Sequence, residues 1–293
     1  MGFDNDTVVA LGIFDGVHTG HRRVISTAVE LAVNMSLRSA VCTFDAASVD
    51  TKGSGYRPIY SDEMKRQLIL SLGTDKVFSL PFSDVKQLSA EEFMSEYVFG
   101  RLKAGHVVCG RDFRLGRGAE CGVDGLGLIC KRYGASLNVV DDVTFADERI
   151  SSASIRKLIS EGDISYANAL LGEDYTVHGT VVQGNRIGRQ LDFPTANQVL
   201  DSGSILPRFG VYSSYSVIGG VKYTGISNIG IKPTVGSDVP LCETHFPGFD
   251  GDLYGKVIDV RLTGFIRSEK RFDSLNELKM QIKQDIASCY ERS

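Results

Sequence analysis

Two histidines, His18 and His21, stand in the stretch Leu11-Gly-Ile-Phe-Asp-Gly-Val-His-Thr-Gly-His21, among glycines at 12, 16 and 20. An apolar run from Val8 to Phe14 precedes them. A helical pattern with Val24, Ala28, Leu31, Ala32 and Met35 on one face follows. The order reads strand, turn, helix. Glycine lets the backbone approach a ligand closely, and the helix start presents unpaired N–H groups at the positive end of its dipole. Phosphate suits that environment, and two imidazoles supply donors for charge on a transferring phosphoryl group. The glycine spacing is neither the dinucleotide fingerprint nor a Walker A loop, which would carry a lysine. No Cys/His/carboxylate cluster nearby completes a zinc site.

Other stretches carry chemistry of a related kind. In Ile150-Ser-Ser-Ala-Ser-Ile-Arg156 the hydroxyls of Ser151 and Ser152 either cap a helix or hold phosphate, and Arg156 has the geometry to clamp phosphate bidentately. Residues 109–118 form a basic, glycine-rich loop that includes Asp112, Phe113 and Arg114. Glycines at 179, 184 and 188 suggest a loop folded over a ligand, and Pro194-Thr195-Ala196-Asn197 follows. If that segment is extended, the Thr195 hydroxyl and the Asn197 amide oxygen share one side. Both are hard donors that Mg²⁺ accepts while keeping waters and substrate phosphates. Glu243, in Cys242-Glu-Thr-His245, is either a general base in an apolar strand or an edge-strand glutamate facing solvent.

The elements that must position these residues change character along the chain. From Val8 to about Ile159, short apolar runs (8–14, 39–44, 76–80, 106–109 and 136–140) alternate with helical patterns near 21–35, 62–72, 90–102 and 122–134. Such alternation predicts a parallel sheet covered on both faces, an α/β domain that binds ligands beyond the strands' C-terminal ends. Ser89 and Glu92 predict a capping box. Residues 161–174 read as a short helix, with Ile164, Ala167, Leu170 and Leu171, and the connector Gly172-Glu-Asp174. Alternating runs at 175–183, 210–218, 221–229, 241–246 and 256–266 then predict an antiparallel barrel or sandwich. Ser274 and Glu277 cap a final helix whose stripe Leu275, Leu278, Ile282 and Ile286 is expected to pack on it.

At 293 residues the chain is long for one core, which favours two domains. A net charge of −4 with no long Lys/Arg run disfavours nucleic acid as a partner. No window approaches a membrane span, and the N-terminus lacks a signal-peptide pattern, so no membrane role is expected. Six scattered cysteines without a C-x-x-C read as reduced, mostly buried thiols of a cytoplasmic enzyme. Oligomeric state is not readable from the sequence.

Taken together, these motifs resemble the prokaryotic bifunctional riboflavin kinase/FAD synthetase family along residues 8–290. G-x-F-D-G-x-H-x-G-H resembles the H-x-G-H signature of nucleotidyltransferases in its flavin form. Gly110-Arg-Asp-Phe-Arg-Leu-Gly116 resembles the family's G-x-D-F-R-F-G, and Ile150–Arg156 its I-S-S-x-x-I-R. Phe193-Pro-Thr-Ala-Asn197 resembles G-F-P-T-A-N with Asp192 for the glycine, and Phe265-Ile-Arg267 resembles F-I-R-x-E. Asn228-Ile-Gly230-x-x-Pro233-Thr-Val-Gly236 and Asp250–Gly255 also match. The chain departs at Thr43–Ser48, where the family has T-F-x-P-H-P, at Cys121-Gly122, where the family has Gly-Asp, and at Pro247-Gly248, where it has Leu-Asp.

The resemblance implies a doubly wound, Rossmann-like nucleotidyltransferase domain over 1–172 and an antiparallel β-barrel kinase domain with a C-terminal helix over 173–293. It implies ATP, riboflavin and FMN as substrates, with Mg²⁺. His18, His21 and Arg156 would be catalytic in adenylyl transfer, with Gly12, Phe14, Gly16, Gly20, Ser151 and Ser152 around ATP phosphates. Asp112, Phe113, Arg114 and Arg267 would border flavin. In the kinase domain Glu243 would be the base, Gly179 and Gly188 would contact ATP, and Thr195 and Asn197 would bind Mg-ATP. Three rivals stay open: one active domain of two, a flavin-binding regulator without turnover, and a transferase for another small phosphate.

Overall fold

The computed structural model describes residues 6–45, 56–184, 193–234 and 237–291. The chain divides into two compact units, Met1–Ser152 and Ala153–Ser293.

In the first unit, strands β1 (Thr7–Leu11), β2 (Arg38–Phe44), β3 (Lys76–Leu80), β4 (Ala104–Gly110) and β5 (Ser136–Val140) form a parallel sheet in the order β3-β2-β1-β4-β5. The chain moves outward from β1 to β3, then returns to the other side of β1 for β4. The strand order therefore reverses between β1 and β4, with Leu11 beside Cys109 at their C-terminal ends. Ligand crevices of open α/β sheets lie at such a switch point. β1 is buried throughout, because a central parallel strand is covered on both faces.

Helices α1 (Thr19–Met35), α2 (Asp62–Ser71), α3 (Ala90–Phe93) and α4 (Val123–Arg132) link the strands. The expected capping box is present at α3: Ser89 Oγ accepts from Glu92 N–H at 3.2 Å, and Glu92 accepts from Ser89 N–H at 2.8 Å. After α3 the helix widens over Met94–Arg101, and Leu102 N–H reaches back five residues to Tyr97 O. Val9, Leu11, Phe93, Val98, Phe99 and Leu126 belong to a buried core on one side of the sheet. A hairpin that the sequence does not announce, β6 (Thr144–Phe145) and β7 (Glu148–Arg149), turns through Ala146 and Asp147, both with positive φ.

In the second unit, β8 (Tyr175–Val182), β9 (Thr195–Val199), β10 (Gly210–Ile218), β11 (Val221–Thr234), β12 (Ser237–His245) and β13 (Val257–Arg267) close a barrel in the order β10-β11-β12-β9-β8-β13. The alternatives of barrel and sandwich thus resolve to a barrel. The short helix expected within 161–174 is α6 (Ile164–Leu171), and the serine motif opens α5 (Ser152–Glu161) ahead of it. α6 is fastened to β13 by Asn168, whose amide donates to Leu262 O at 2.8 Å. That packing places α6 with the barrel unit, whereas the sequence puts a boundary at 172.

The last helix, α7 (Leu275–Glu291), begins at Ser274, whose hydroxyl accepts from Glu277 N–H at 3.2 Å. Most of the expected stripe is packed, with Leu278, Ile282 and Ile286 half-buried. Leu275 is exposed, while Asp285 and Cys289 are buried and Ile286 packs against Val211, Ile226 and Cys289. The six cysteines form no disulfide among the described residues. Burial raises the Cys42 and Cys109 thiols to about 12, and Cys130 and Cys242 to about 11.

Leu126 is 1% exposed within the first unit's core. Leu126→Ala is expected to destabilise that unit by about 2–5 kcal/mol in chemical unfolding. A loss under about 0.5 kcal/mol, the range of ordinary surface changes, would contradict its place in the core.

Candidate active sites

The turn after β1 is unusual backbone held by several partners. Phe14 and Val17 have positive φ, at 52° and 44°, with Gly16 between them at 77°. A side chain at Gly16 would bring its Cβ within 2.5 Å of Ile59 Cδ1. Non-glycine residues adopt such angles only where their surroundings enforce them. Here Thr43 Oγ1 donates to Ile13 O at 2.8 Å, Ile59 N–H donates to the buried Asp15 carboxylate at 2.8 Å, and Ser152 Oγ donates to Asp15 O at 2.9 Å. Gly12 and Gly20 lie against the rings of Phe14 and His18, where an added Cβ would stand 2.6 and 3.2 Å away.

The strain places His18 at the start of α1 as its N-cap. His18 Nδ1 accepts from His21 N–H at 3.4 Å, and the two imidazoles stack with centroids 3.5 Å apart and planes 19° from parallel. Phe14 meets the His21 ring edge-on at 5.4 Å. Burial lowers His18 to about 4, opposed by the nearby Asp112 carboxylate and assisted by Arg149. Burial, then His18, then Lys65 hold His21 well below the ordinary histidine range. Both rings are therefore neutral at pH 7. Because His18 Nδ1 accepts, its proton belongs on Nε2. His21 Nδ1 is buried with no hydrogen-bond partner among the described residues.

The loop after β4 splits the three residues assigned to flavin. Asp112 is ion-paired with Arg149 of β7. Phe113 packs on the core, and Arg114 Nε donates to Ala119 O at 2.9 Å. Arg149 also lies 3.5 Å from Asp142. Two cations that the sequence reading passed over thus belong to this region. Arg149 sits just before Ile150–Ser152, and Lys65 is a buried residue of α2. Lys65 Nζ donates to Phe44 O at 2.6 Å and pairs with Asp62 at 3.0 Å. Arg149 was detectable by adjacency to the serine motif, whereas nothing local marks Lys65 as buried. Ser151 is half-buried before α5, and Arg156 is half-buried on it, one turn beyond Ser152. Of the departure at 43–48, positions 46–48 lie outside the described residues.

In the barrel, Thr195 and Asn197 do lie on a strand. β9 sits between β8 and β12, in a register that pairs Asn197 with Glu243 and Thr195 with His245. Glu243 also pairs with Asn228 of β11. Glu243 is therefore half-buried on an interior strand of the barrel, which removes the edge-strand alternative. Paired residues project to one face of the sheet, so Thr195, Asn197, Glu243, His245 and Asn228 share a face. His245 was not singled out in the sequence, although its position two residues after Glu243 gave the signal. Its Nδ1–H donates to Pro194 O at 2.9 Å, its ring meets Phe193 edge-on at 5.3 Å, and burial lowers its pKa.

Asn197 is 4% exposed. Its Nδ2 donates to Thr195 O at 3.3 Å, and its Oδ1 is buried without a partner among the described residues. Gly184 runs so close that a Cβ there would fall 2.6 Å from Asn197 Nδ2. Gly179, on β8, is half-buried, and Gly188 and Asp192 lie outside the described residues. An orphaned amide oxygen next to the Thr195 position fits a hard cation that takes most of its ligands from water and phosphate. No cluster of three or more His, Cys, Asp or Glu occurs among the described residues.

Arg267, expected to border flavin, is held in an ion pair with α7. Its Nε lies 3.0 Å from both carboxylate oxygens of the buried Asp285, and its Nη2 donates to Asp285 at 2.7 Å. The guanidinium is thus engaged in fastening α7 to β13. Of the two partners in that ion pair, Asp285 is the buried one.

Residues 2–154 match the family model described as FAD synthetase, and residues 171–292 match the one described as riboflavin kinase. The bifunctional riboflavin kinase/FMN adenylyltransferase of Bacillus subtilis strain 168 is 36% identical over 293 residues, covering 95% of this chain and 90% of the relative. The protein of that name from Escherichia coli K12 is 32% identical, covering 97% and 92%. Among solved structures, a macrolide-efflux protein from Streptococcus pneumoniae superposes with a TM-score of 0.86 at 29% identity, covering 100% of this chain and 96% of that one. The order of the two matched domains, and identity spread over almost the whole length, place this chain in the bifunctional riboflavin kinase/FMN adenylyltransferase family.

Proposed function

We propose that the chain carries out two ATP-dependent reactions in sequence. The barrel domain phosphorylates riboflavin to FMN. The parallel-sheet domain joins FMN to AMP, giving FAD and pyrophosphate. Matches to both domain models and to bifunctional relatives favour two activities over one active domain or a flavin-binding regulator. Asn197 carries the assignment of the kinase site: a buried, unpartnered oxygen directly across from Glu243.

In the kinase site Glu243 accepts the proton of the terminal ribityl hydroxyl as that oxygen attacks the γ-phosphorus of ATP, and ADP leaves. Thr195 and Asn197 would hold Mg²⁺ together with the ATP phosphates, and the bound cation supplies neutralisation of their charge. In the adenylyl-transfer site a phosphate oxygen of FMN attacks the α-phosphorus of ATP. No covalent enzyme intermediate is needed, so this site works by positioning and charge stabilisation. His18 and His21 act as neutral N–H donors, and Ser151, Ser152, Arg156 and Arg149 complete the phosphate contacts, with Gly12, Gly16 and Gly20 allowing close approach. Asp112 borders FMN.

We also place the protein in the cytoplasm, on its six reduced thiols and its nucleotide substrates. Among the described residues no helix is long and apolar enough to cross a membrane.

His21→Ala is expected to slow FAD formation from supplied FMN by about 10²–10³-fold while sparing FMN formation, as for one lost charge-stabilising donor. Equal loss of both activities would contradict two separate sites. Glu243→Gln should slow riboflavin phosphorylation by about 10²–10⁴-fold and leave FAD formation from FMN intact. Unchanged phosphorylation would remove Glu243 as the base. The His18 imidazole should titrate by NMR near 4 rather than 6.5. Because its folded value is depressed, the stability it contributes is full above pH 6.5 and declines as pH falls toward 4. A midpoint near 6.5 would show that the ring is not buried as described.

A further inference from the structure

Gln198 follows Asn197 on β9 and is completely buried. Successive strand residues face opposite ways, so Gln198 lies on the other face of β9 from Asn197 and Thr195, with its buried register partner Cys242. Its Nε2 donates to Gly179 O at 3.0 Å and to Ile258 O at 2.9 Å, with Val177 O at 3.5 Å. Three carbonyl oxygens around one amide atom identify that atom as the nitrogen. Gly179 and Ile258 are register partners across β8 and β13. A side chain of β9 therefore fastens two further strands.

That fastening lies where the barrel is thinly closed. Described pairing between β8 and β9 is limited to Val181 with Gln198 and Val182 with Asn197. On its other side, β9 pairs with β12 from Thr195 through Val199. The weakly paired seam is the one that carries Asn197 and, just past β8, the Gly184 backbone that lies against it.

The same side chain carries a cost. Its Oε1 is buried with no partner among the described residues. That unsatisfied acceptor is offset by the bonds its nitrogen makes to carbonyls of two strands, bonds that an apolar side chain of similar shape would not make.

We propose that Gln198 is a positioning residue of the kinase site. Its amide sets the spacing of β8 and β9, and through it the placement of Thr195 and Asn197 against Glu243 for ATP. This rests on the assignment of Thr195 and Asn197 to the ATP phosphates.

Gln198→Met keeps length and volume while removing the donors. In riboflavin phosphorylation it should raise KM for ATP about tenfold, leave KM for riboflavin within about twofold, and leave FAD formation from supplied FMN unchanged. An unchanged KM for ATP in the folded variant overturns the inference. Asn197→Ala, assayed alongside, separates the two levels: if it leaves phosphorylation intact, the site assignment itself fails. Should the methionine variant not fold, ¹⁵N NMR of the wild type decides. The Gln198 side-chain amide protons should exchange slowly and shift when AMP-PNP and Mg²⁺ are added, and the absence of either behaviour overturns the inference.

Discussion

A polar atom taken out of water must find a partner or weaken the fold, and that constraint organises both halves of this protein. Around the first strand's turn it is met by Thr43, Ile59 and Ser152, which together hold Phe14, Gly16 and Val17 in left-handed backbone. In the barrel, Gln198 meets it for backbone carbonyls of β8 and β13. Two of the exceptions lie at the proposed sites. His21 Nδ1 and Asn197 Oδ1 are buried without partners among the described residues, and each lies in a motif of the family. In the proposed reactions a ligand that supplies the missing partner would recover that cost.

The two units satisfy this constraint by different architectures. The parallel sheet has its switch point between β1 and β4, so the turn that carries the histidines and the loop that carries Asp112 emerge side by side. Distance along the sequence is irrelevant there, since strand order does the joining. The barrel relies on register instead. Antiparallel pairing puts Asn197 across from Glu243 and Thr195 across from His245, and a one-residue slip of β9 would turn Thr195 and Asn197 to the face opposite Glu243 and His245.

Much of the sheet was legible because central parallel strands are continuous apolar runs, and all five were placed within a few residues. The capping box at Ser89 and the final helix were legible from local chemistry alone. β9 was less so, since Thr195, Asn197 and Gln198 make it polar, and its pairing with β12 defines it as a strand. The β6–β7 hairpin is too short for a periodic signal, so Arg149 was missed together with its pairing to Asp112. Arg267 matched a motif yet is engaged by Asp285, a contact eighteen residues away that no spacing rule reveals. The burial of Lys65 is likewise a tertiary outcome.

The central claim is that one chain makes FMN at one site and consumes it at another. The most direct test is a time course with purified protein, riboflavin, ATP and Mg²⁺, separating the flavins by chromatography. FMN should appear without a lag, and FAD should follow after one as FMN accumulates. Riboflavin that is bound but unchanged, or FMN that accumulates without ever giving FAD, would contradict the account.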